Sequence, residues 1–291
     1  MSVTVGELLD AYVLDRVPVV VQPQRIRDTV AHLSPVLGHL PLAQLTRRAV
    51  LDYTEGRLAE GVQPQTARRE LVSLRAALRL AWRDGAIDRV PPIPMPPHSK
   101  RRERVLSREE IRALLSATAP RPRLHMFLRL LIATCARVSA VCELTWAKID
   151  TGRRIIDLRS DSAKAGRMKG RAVVRITPKM VTHLLAYRDA PEAQQGRGRR
   201  PKPGARVVGL AVTTVRGQLK HAAALAGVEG VTPHVIRHSV ATHLIAEGVP
   251  LAIVSKMLGH ASVSITADVY GHLQPSHMDG AAEALDAWAG D

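Results

Sequence analysis

Acidic residues are under-represented in this chain. Its 291 residues hold 26 Asp plus Glu against 42 Lys plus Arg, a formal net charge of +16. That imbalance argues against a cationic partner. It predicts a polyanionic one, nucleic acid above all, with association that weakens as salt rises. Cysteine is also scarce. Cys135 and Cys142 lie seven apart in apolar text, which supports neither a disulfide framework nor a zinc knuckle and points to a reducing compartment. No apolar run reaches the ~20 residues a membrane span needs. Without a lipid-anchoring motif or an N-terminal signal peptide, a cytoplasmic, nucleoid-associated location is expected and no membrane partner. His234, His238 and His243 invite a zinc reading by their spacing. However, there is no H-E-x-x-H arrangement and no cysteine nearby, so neither metal nor cofactor is expected.

The hydrophobic fraction of 46% is that of a globular protein, and the length suffices for two cored domains. The most informative stretch runs from Val231 to His272. Thr232 is a natural N-cap and Pro233 suits the first helical position, so a helix should start there. His234 and Arg237 are three apart and therefore share a helix face. Gly248 and Pro250 end that helix. A second runs from about Leu251 until Gly259 stops it before His260. A Ser/Thr-rich loop should follow, and then a short piece carrying Tyr270. Two imidazoles, a guanidinium and a phenol thus arrive without a carboxylate cluster, which suits an anionic substrate attacked without metal.

The pattern H-x-x-R-H (His234 to His238), then L-G-H (Leu258 to His260), then Tyr270 ten residues on, resembles the catalytic half of the tyrosine recombinase (phage-type integrase) family. The resemblance implies a mainly α fold with a small antiparallel β-sheet (α+β), built as a helical core-binding domain followed by a catalytic domain. Residues 1–90 would form the first, 91–104 a Pro-rich basic linker and 105–291 the second. The two domains of such enzymes clamp duplex DNA.

The remaining text fits this plan. Helices are expected from Val5 to before Pro18, over 22–37, over 46–60, and from about Pro64 to Asp84. In the last of these, Leu71, Leu74, Leu78, Ala81 and Trp82 make an apolar face, and Arg68, Arg75, Arg79 and Arg83 line another that can lie against phosphates or simply be solvated. The prolines between Pro91 and Pro97 forbid a continuous helix. The basic cluster Lys100, Arg101, Arg102 and Arg104 would cross the DNA backbone. Ser107 and Glu110 form a capping box. Leu124 to Ala133 reads as a buried helix, and Arg137 leads a further helical stretch with Val138, Val141, Leu144 and Trp146 for the core. Short β-type runs between Arg154 and Thr177 suggest a hairpin whose turn holds Lys164 and Lys169. Helices are expected over 178–189, over about Thr214 to Ala226, and in a tail with Ala281, Leu285 and Trp288. The tail would dock on its own domain or on a neighbour. The basic loop within 194–206 should be mobile.

By resemblance, Arg137 takes the position of the family's first arginine and Lys164 that of the catalytic lysine, with Lys169 as its rival. Two departures stand out: Cys135 replaces the family's usual glycine, and Ala140 its usual acid. Glu143, one turn on, is a candidate substitute for that acid. The chemistry is coherent. In-line attack on a phosphodiester builds charge on its equatorial oxygens. Arg137 and Arg237 can each offer a planar fork of donors, and His260 another hydrogen bond. Tyr270 would be the nucleophile, His234 would take its proton, and Lys164 would protonate the leaving 5′ oxygen. The other tyrosines, Tyr12, Tyr53 and Tyr187, sit in apolar helical text. The expected activity is site-specific DNA cleavage and rejoining through a 3′-phosphotyrosyl intermediate. Double-stranded DNA is the partner, with a homotetramer on paired sites, a monomer or dimer when free, and accessory proteins. With no arm-site domain ahead of the first helices, a simple recombinase is expected. Type IB topoisomerase-like relaxation, or a catalytically impaired DNA-binding relative, remain the alternatives.

Overall fold

The computed structural model describes residues 3–20, 22–97, 104–160, 170–191 and 200–271. The chain divides into two units, Met1–Arg102 and Glu103–Asp291. The fold is α+β and mainly helical, with a small antiparallel sheet.

The first unit holds α1 (Val5–Arg16), α2 (Pro23–Leu33), α3 (Arg47–Ala59) and α4 (Pro64–Arg83). A capping box between Thr4 and Glu7 opens α1. The expected helix over 22–37 changes character, because α2 passes into a π-helical turn over Ser34–Gly38. Leu9, Leu33, Tyr53, Leu71, Leu74 and Leu78 meet in the core. Trp82 departs from expectation. It is 55% exposed, because it lines a concave face on the side of the last turn of α4 away from the core, which Ala81 enters instead. Burying Glu70 on α4 would be costly alone, so its carboxylate accepts from Tyr53 Oη at 2.7 Å and from Arg57 Nη2 at 2.8 Å. The proline-rich run stays tied to this unit, since Ile93 and Met95 pack on its core.

The second unit opens with α5 (Arg108–Thr118), capped by Ser107 and Glu110 as its sequence requires. Next come α6 (Pro122–Thr134) and α7 (Val138–Glu143). Strands β1 (Ile149–Asp150), β2 (Ile155–Asp157) and β3 (Val173–Arg175) form one antiparallel sheet in that order. Ile156 faces Ile149 on one side and Val174 on the other. Strand β1 leaves no periodic signal in the sequence, because two residues are too short to show one. The chain continues through α8 (Pro178–Asp189), α9 (Val212–Leu225), α10 (Pro233–Ala246), α11 (Leu251–Leu258) and α12 (Val263–Tyr270). The core centres on Phe127, Leu128 and Leu131 of α6. A smaller cluster of Cys135, Ala241, Ile245, Val254, Leu258 and Tyr270 closes the end of α10.

The Ser/Thr-rich loop expected after His260 is shorter than foreseen, for Ser264 and Thr266 already belong to α12. β-Branched and hydroxyl residues disfavour helix only weakly. Complete burial of Thr266, whose hydroxyl lies 2.9 Å from His260 Nδ1, outweighs that preference. Lys164, Lys169, Lys100, Arg101, Arg102 and the expected 281–288 helix lie outside the described residues, as do residues 194–199 of the 194–206 loop.

Candidate active site

Four separate segments converge in the second unit, and two guanidinium groups join them. Thr232 caps α10 by accepting from the Val235 amide at 3.1 Å, with Pro233 in the first turn. That start sets Arg237 inward at 6% exposure. Its fork donates to the carbonyl of Cys135 through Nη1 and to that of Leu258 through Nη2, both at 2.8 Å. The end of α6 and the end of α11 are thereby tied to α10. Burial, helped by the neighbouring Arg137 charge, pushes Arg237 down to about 10, against the opposing influence of Cys135 and Tyr270.

Arg137 stands at the N-cap of α7. The chain reaches it through Cys135, whose φ of 50° is left-handed. This is where the family's usual glycine is absent, and a side chain there accepts strain of about 1 kcal/mol. The thiol is fully buried in the small cluster, and burial raises it to about 11, so it serves as packing and not as a nucleophile. Arg137 Nη1 donates to the carbonyl of Gly170 and, at 3.4 Å, to that of Gly259. Those glycines touch backbone to backbone. A Cβ on Gly170 would lie 2.7 Å from the Gly259 oxygen, and one on Gly259 2.5 Å from the Gly170 oxygen. Gly259 also has φ 59°, as the C-cap of α11. Arg137 therefore holds the end of the β2–β3 connection against the turn carrying His260.

His260 is partly buried and held below the usual imidazole value by burial and then by Arg237 and Arg137. In the tautomer whose Nδ1 accepts from Thr266, Nε2 keeps its proton and can donate. Tyr270 ends α12, is 5% exposed, and affects Arg237 electrostatically. Its hydroxyl lies 2.8 Å from Nδ1 of His238, and the two rings stack with centroids 5.1 Å apart.

The expected residues are thus not placed alike. Arg137, Arg237, His260 and Tyr270 come together, whereas His234 is exposed in the first turn of α10. His238, which ends the H-x-x-R-H pattern and was given no role by it, is the imidazole at the phenol. Its signal was available, since it follows Arg237 directly and lies one turn from His234. Glu143 pairs with Arg171 at 2.6 Å, and Arg171 interacts with Arg137. Among the described residues, Glu143 therefore reaches Arg137 only through Arg171. Burial and then the Arg171 charge lower Arg137 from the ordinary guanidinium value. Arg171 went unread because it stands among surface-like basic residues beside the hairpin. Among the described residues no group of histidine, cysteine or carboxylate side chains could hold a metal.

In the first unit, Arg79 and Arg83 line a concave face of about 810 Å³ with Arg16, Arg89, Trp82 and Asp88. Arg75 is partly exposed. Arg68 is turned to its own unit, donating to the Pro96 carbonyl at 2.6 Å.

The chain is similar to known proteins in both sequence and fold. Residues 104–277 match the phage integrase family. A tyrosine recombinase XerA from Thermococcus kodakarensis is 32% identical over 219 residues, which is 72% of this chain and 72% of that protein. The XerD recombinase of Mycobacterium tuberculosis is 34% identical over 216 residues, 69% of this chain and 68% of its own. Among solved structures, the Tn1549 transposon integrase in complex with transposon right end DNA has a TM-score of 0.78. It is 17% identical and covers 99% of this chain and 100% of its own. A lambda integrase tetramer bound to a Holliday junction gives 0.70 at 19% identity, covering 94% and 78%. At those identities the structures establish the fold. The fold and the family match together define the class. The chain belongs to the phage integrase family and is a tyrosine recombinase.

Proposed function

We propose that this chain is a site-specific recombinase that breaks and rejoins double-stranded DNA through a 3′-phosphotyrosyl link to Tyr270. The observation that carries the reading is the convergence of Arg137, Arg237, His260 and Tyr270 from four segments around two tied guanidinium groups. Arg137 and Arg237 would exchange backbone carbonyls for nonbridging phosphate oxygens, a swap of one acceptor for a better, anionic one. His260 Nε2 would donate a further hydrogen bond as the pentacoordinate state gains charge. The phenol oxygen would attack phosphorus, and the 5′ oxygen would leave with a proton from Lys164. Because the phosphotyrosyl ester retains the bond energy, a 5′-hydroxyl from another strand can reverse the step without ATP. At 5% exposure the phenol is covered, so DNA engagement must open a path to it.

The N-terminal unit would be the core-binding domain, with Arg75, Arg79 and Arg83 facing DNA phosphates and Lys100, Arg101 and Arg102 crossing the backbone. Work on paired sites calls for four active sites, and a homotetramer is the assembly proposed, supported by the lambda integrase likeness. Accessory proteins would direct it. No helix among the described residues is long and apolar enough to cross a membrane, in keeping with action in the cytoplasm on nucleoid DNA.

The test uses a pool of nicked random-sequence duplexes in chelator, from which bound DNA is recovered and assayed for a covalent protein–DNA band. The wild type should form the band and Tyr270→Phe should not. Stable binding by the wild type without any band would overturn the assignment.

A further inference from the structure

We propose that His238 is a catalytic residue, the group that takes the proton from Tyr270 during cleavage and returns it during rejoining. The inference rests on the recombinase reading above and adds a role that the H-x-x-R pattern assigns elsewhere. By spacing, His234 is the natural proton acceptor. It is exposed in the first turn of α10, whereas His238, one turn further on, is 7% exposed and has Nδ1 2.8 Å from the phenol oxygen. A hydrogen bond of that length meets the geometric requirement for general-base catalysis directly.

The surroundings strengthen the assignment. His238 follows Arg237 on α10, so the imidazole and the guanidinium are borne by adjacent residues of one regular helix. Tyr270 interacts electrostatically with that same Arg237. A phosphate bound at Arg237 would therefore sit near the oxygen whose proton His238 can receive. Arg237, Arg137, His260 and Cys135 are the other titratable groups that act on one another electrostatically in this neighbourhood. Stacking of the two rings at a 30° interplanar angle fixes their relative orientation.

The step balances. The phenol O–H bond breaks and its proton moves to His238 Nδ1, leaving an imidazolium. The phenol oxygen bonds to phosphorus as the bond from phosphorus to the 5′ oxygen breaks. The 5′ oxygen takes a proton from the ammonium group proposed at Lys164. In rejoining, an incoming 5′-hydroxyl gives its proton back to that amine, and the His238 imidazolium protonates the departing phenolate. A proton acceptor thus predicts equal slowing in both directions, by microscopic reversibility. A latch that merely stores the phenol predicts faster cleavage once removed.

The experiment measures single-turnover formation of the covalent band on a recovered nicked duplex, from pH 5.5 to 9, with rejoining followed after adding a 5′-hydroxyl strand. His238→Asn places an amide oxygen near the Nδ1 position, which keeps an acceptor but no base. Cleavage and rejoining should both fall about 10²-fold near pH 7, and the rise of rate with pH on the acid side should flatten. His234→Asn should leave that rise in place. An unchanged or faster His238→Asn refutes the proposal, and so does a slow variant with the wild-type pH profile, which would mark a purely positional contact. Should His238→Asn bind DNA poorly or melt early, His238→Gln provides the same comparison. A wild type that forms no band overturns the recombinase reading. A wild-type band with an unaffected His238→Asn overturns this inference alone.

Discussion

The contact between Gly170 and Gly259 supplies the sharpest quantitative test of how the site is held. Gly170 lies outside the left-handed region, so alanine meets no φ penalty there and the substitution probes only the close approach. Its Cβ would sit 2.7 Å from the Gly259 oxygen, where 3.4 Å is an ordinary contact. One backbone must retreat by about 0.7 Å, the difference between those values. The carbonyls of Gly170 and Gly259 are both acceptors of Arg137, so the guanidinium cannot keep both in place. Misplacement of a catalytic group on the order of 1 Å costs roughly 10²-fold in rate. Gly170→Ala should therefore form the covalent band at least about tenfold, and up to about 10²-fold, more slowly than the wild type. Overpacking should cost about 1–3 kcal/mol in stability. The assay is single-turnover adduct formation at saturating protein, well below Tm, beside a thermal melt. Gly217→Ala is the control. Exposed on α9 with nothing within 4 Å of its would-be Cβ, it should gain about 1 kcal/mol and retain full rate. Wild-type cleavage by Gly170→Ala would show that Arg137 does not depend on this junction.

Two further predictions concern stability. Glu70→Ala should cost about 1–3 kcal/mol in denaturant unfolding, because it leaves the Tyr53 hydroxyl buried without its acceptor and the Arg57 guanidinium with Glu60 alone; a loss below about 0.5 kcal/mol would contradict the buried network. Acid should also loosen the second unit. The His125 ring lies 3.0 Å from Thr118 Oγ1 and accepts from Arg129 Nε at 2.8 Å, and its pKa is lowered, first by burial and then by Arg129. The unfolded chain therefore binds the proton more readily, so this stabilisation is complete above the ordinary value of 6.5 and is lost as pH falls below it. Tm should drop between pH 7.5 and 5.5, and drop less in His125→Gln; equal slopes would rule out the ring as a source.

Much of this architecture could be read before folding was considered, wherever a local chemical signal carried it. Thr232 with Pro233 marked the start of α10, Ser107 with Glu110 that of α5, and Gly259 the end of α11, because caps act within one turn. Signals failed where distant packing decided. Trp82 has the spacing of a core residue, yet Ala81 of the same turn fills the core and the indole lies outside it. Ser264 and Thr266 read as loop until burial of Thr266 is taken into account. The catalytic pattern gave Arg237 its place but not its two carbonyl partners, which lie 102 and 21 residues away. His238 stood out by following Arg237 directly, but nothing in linear order brings Tyr270 to it, so the contact itself could not be read. Cys135 was notable only against the family's glycine, and its left-handed φ gives that difference a physical meaning.

Arg237 has a consequence for the timing of synthesis. Its fork closes on carbonyls at positions 135 and 258, while Arg137 reaches forward to position 259. A nascent chain that has released the whole N-terminal unit, and even the first arginine, still lacks positions 237, 258 and 259. The knot of guanidinium groups and carbonyls therefore closes only once the last quarter of the message has been translated.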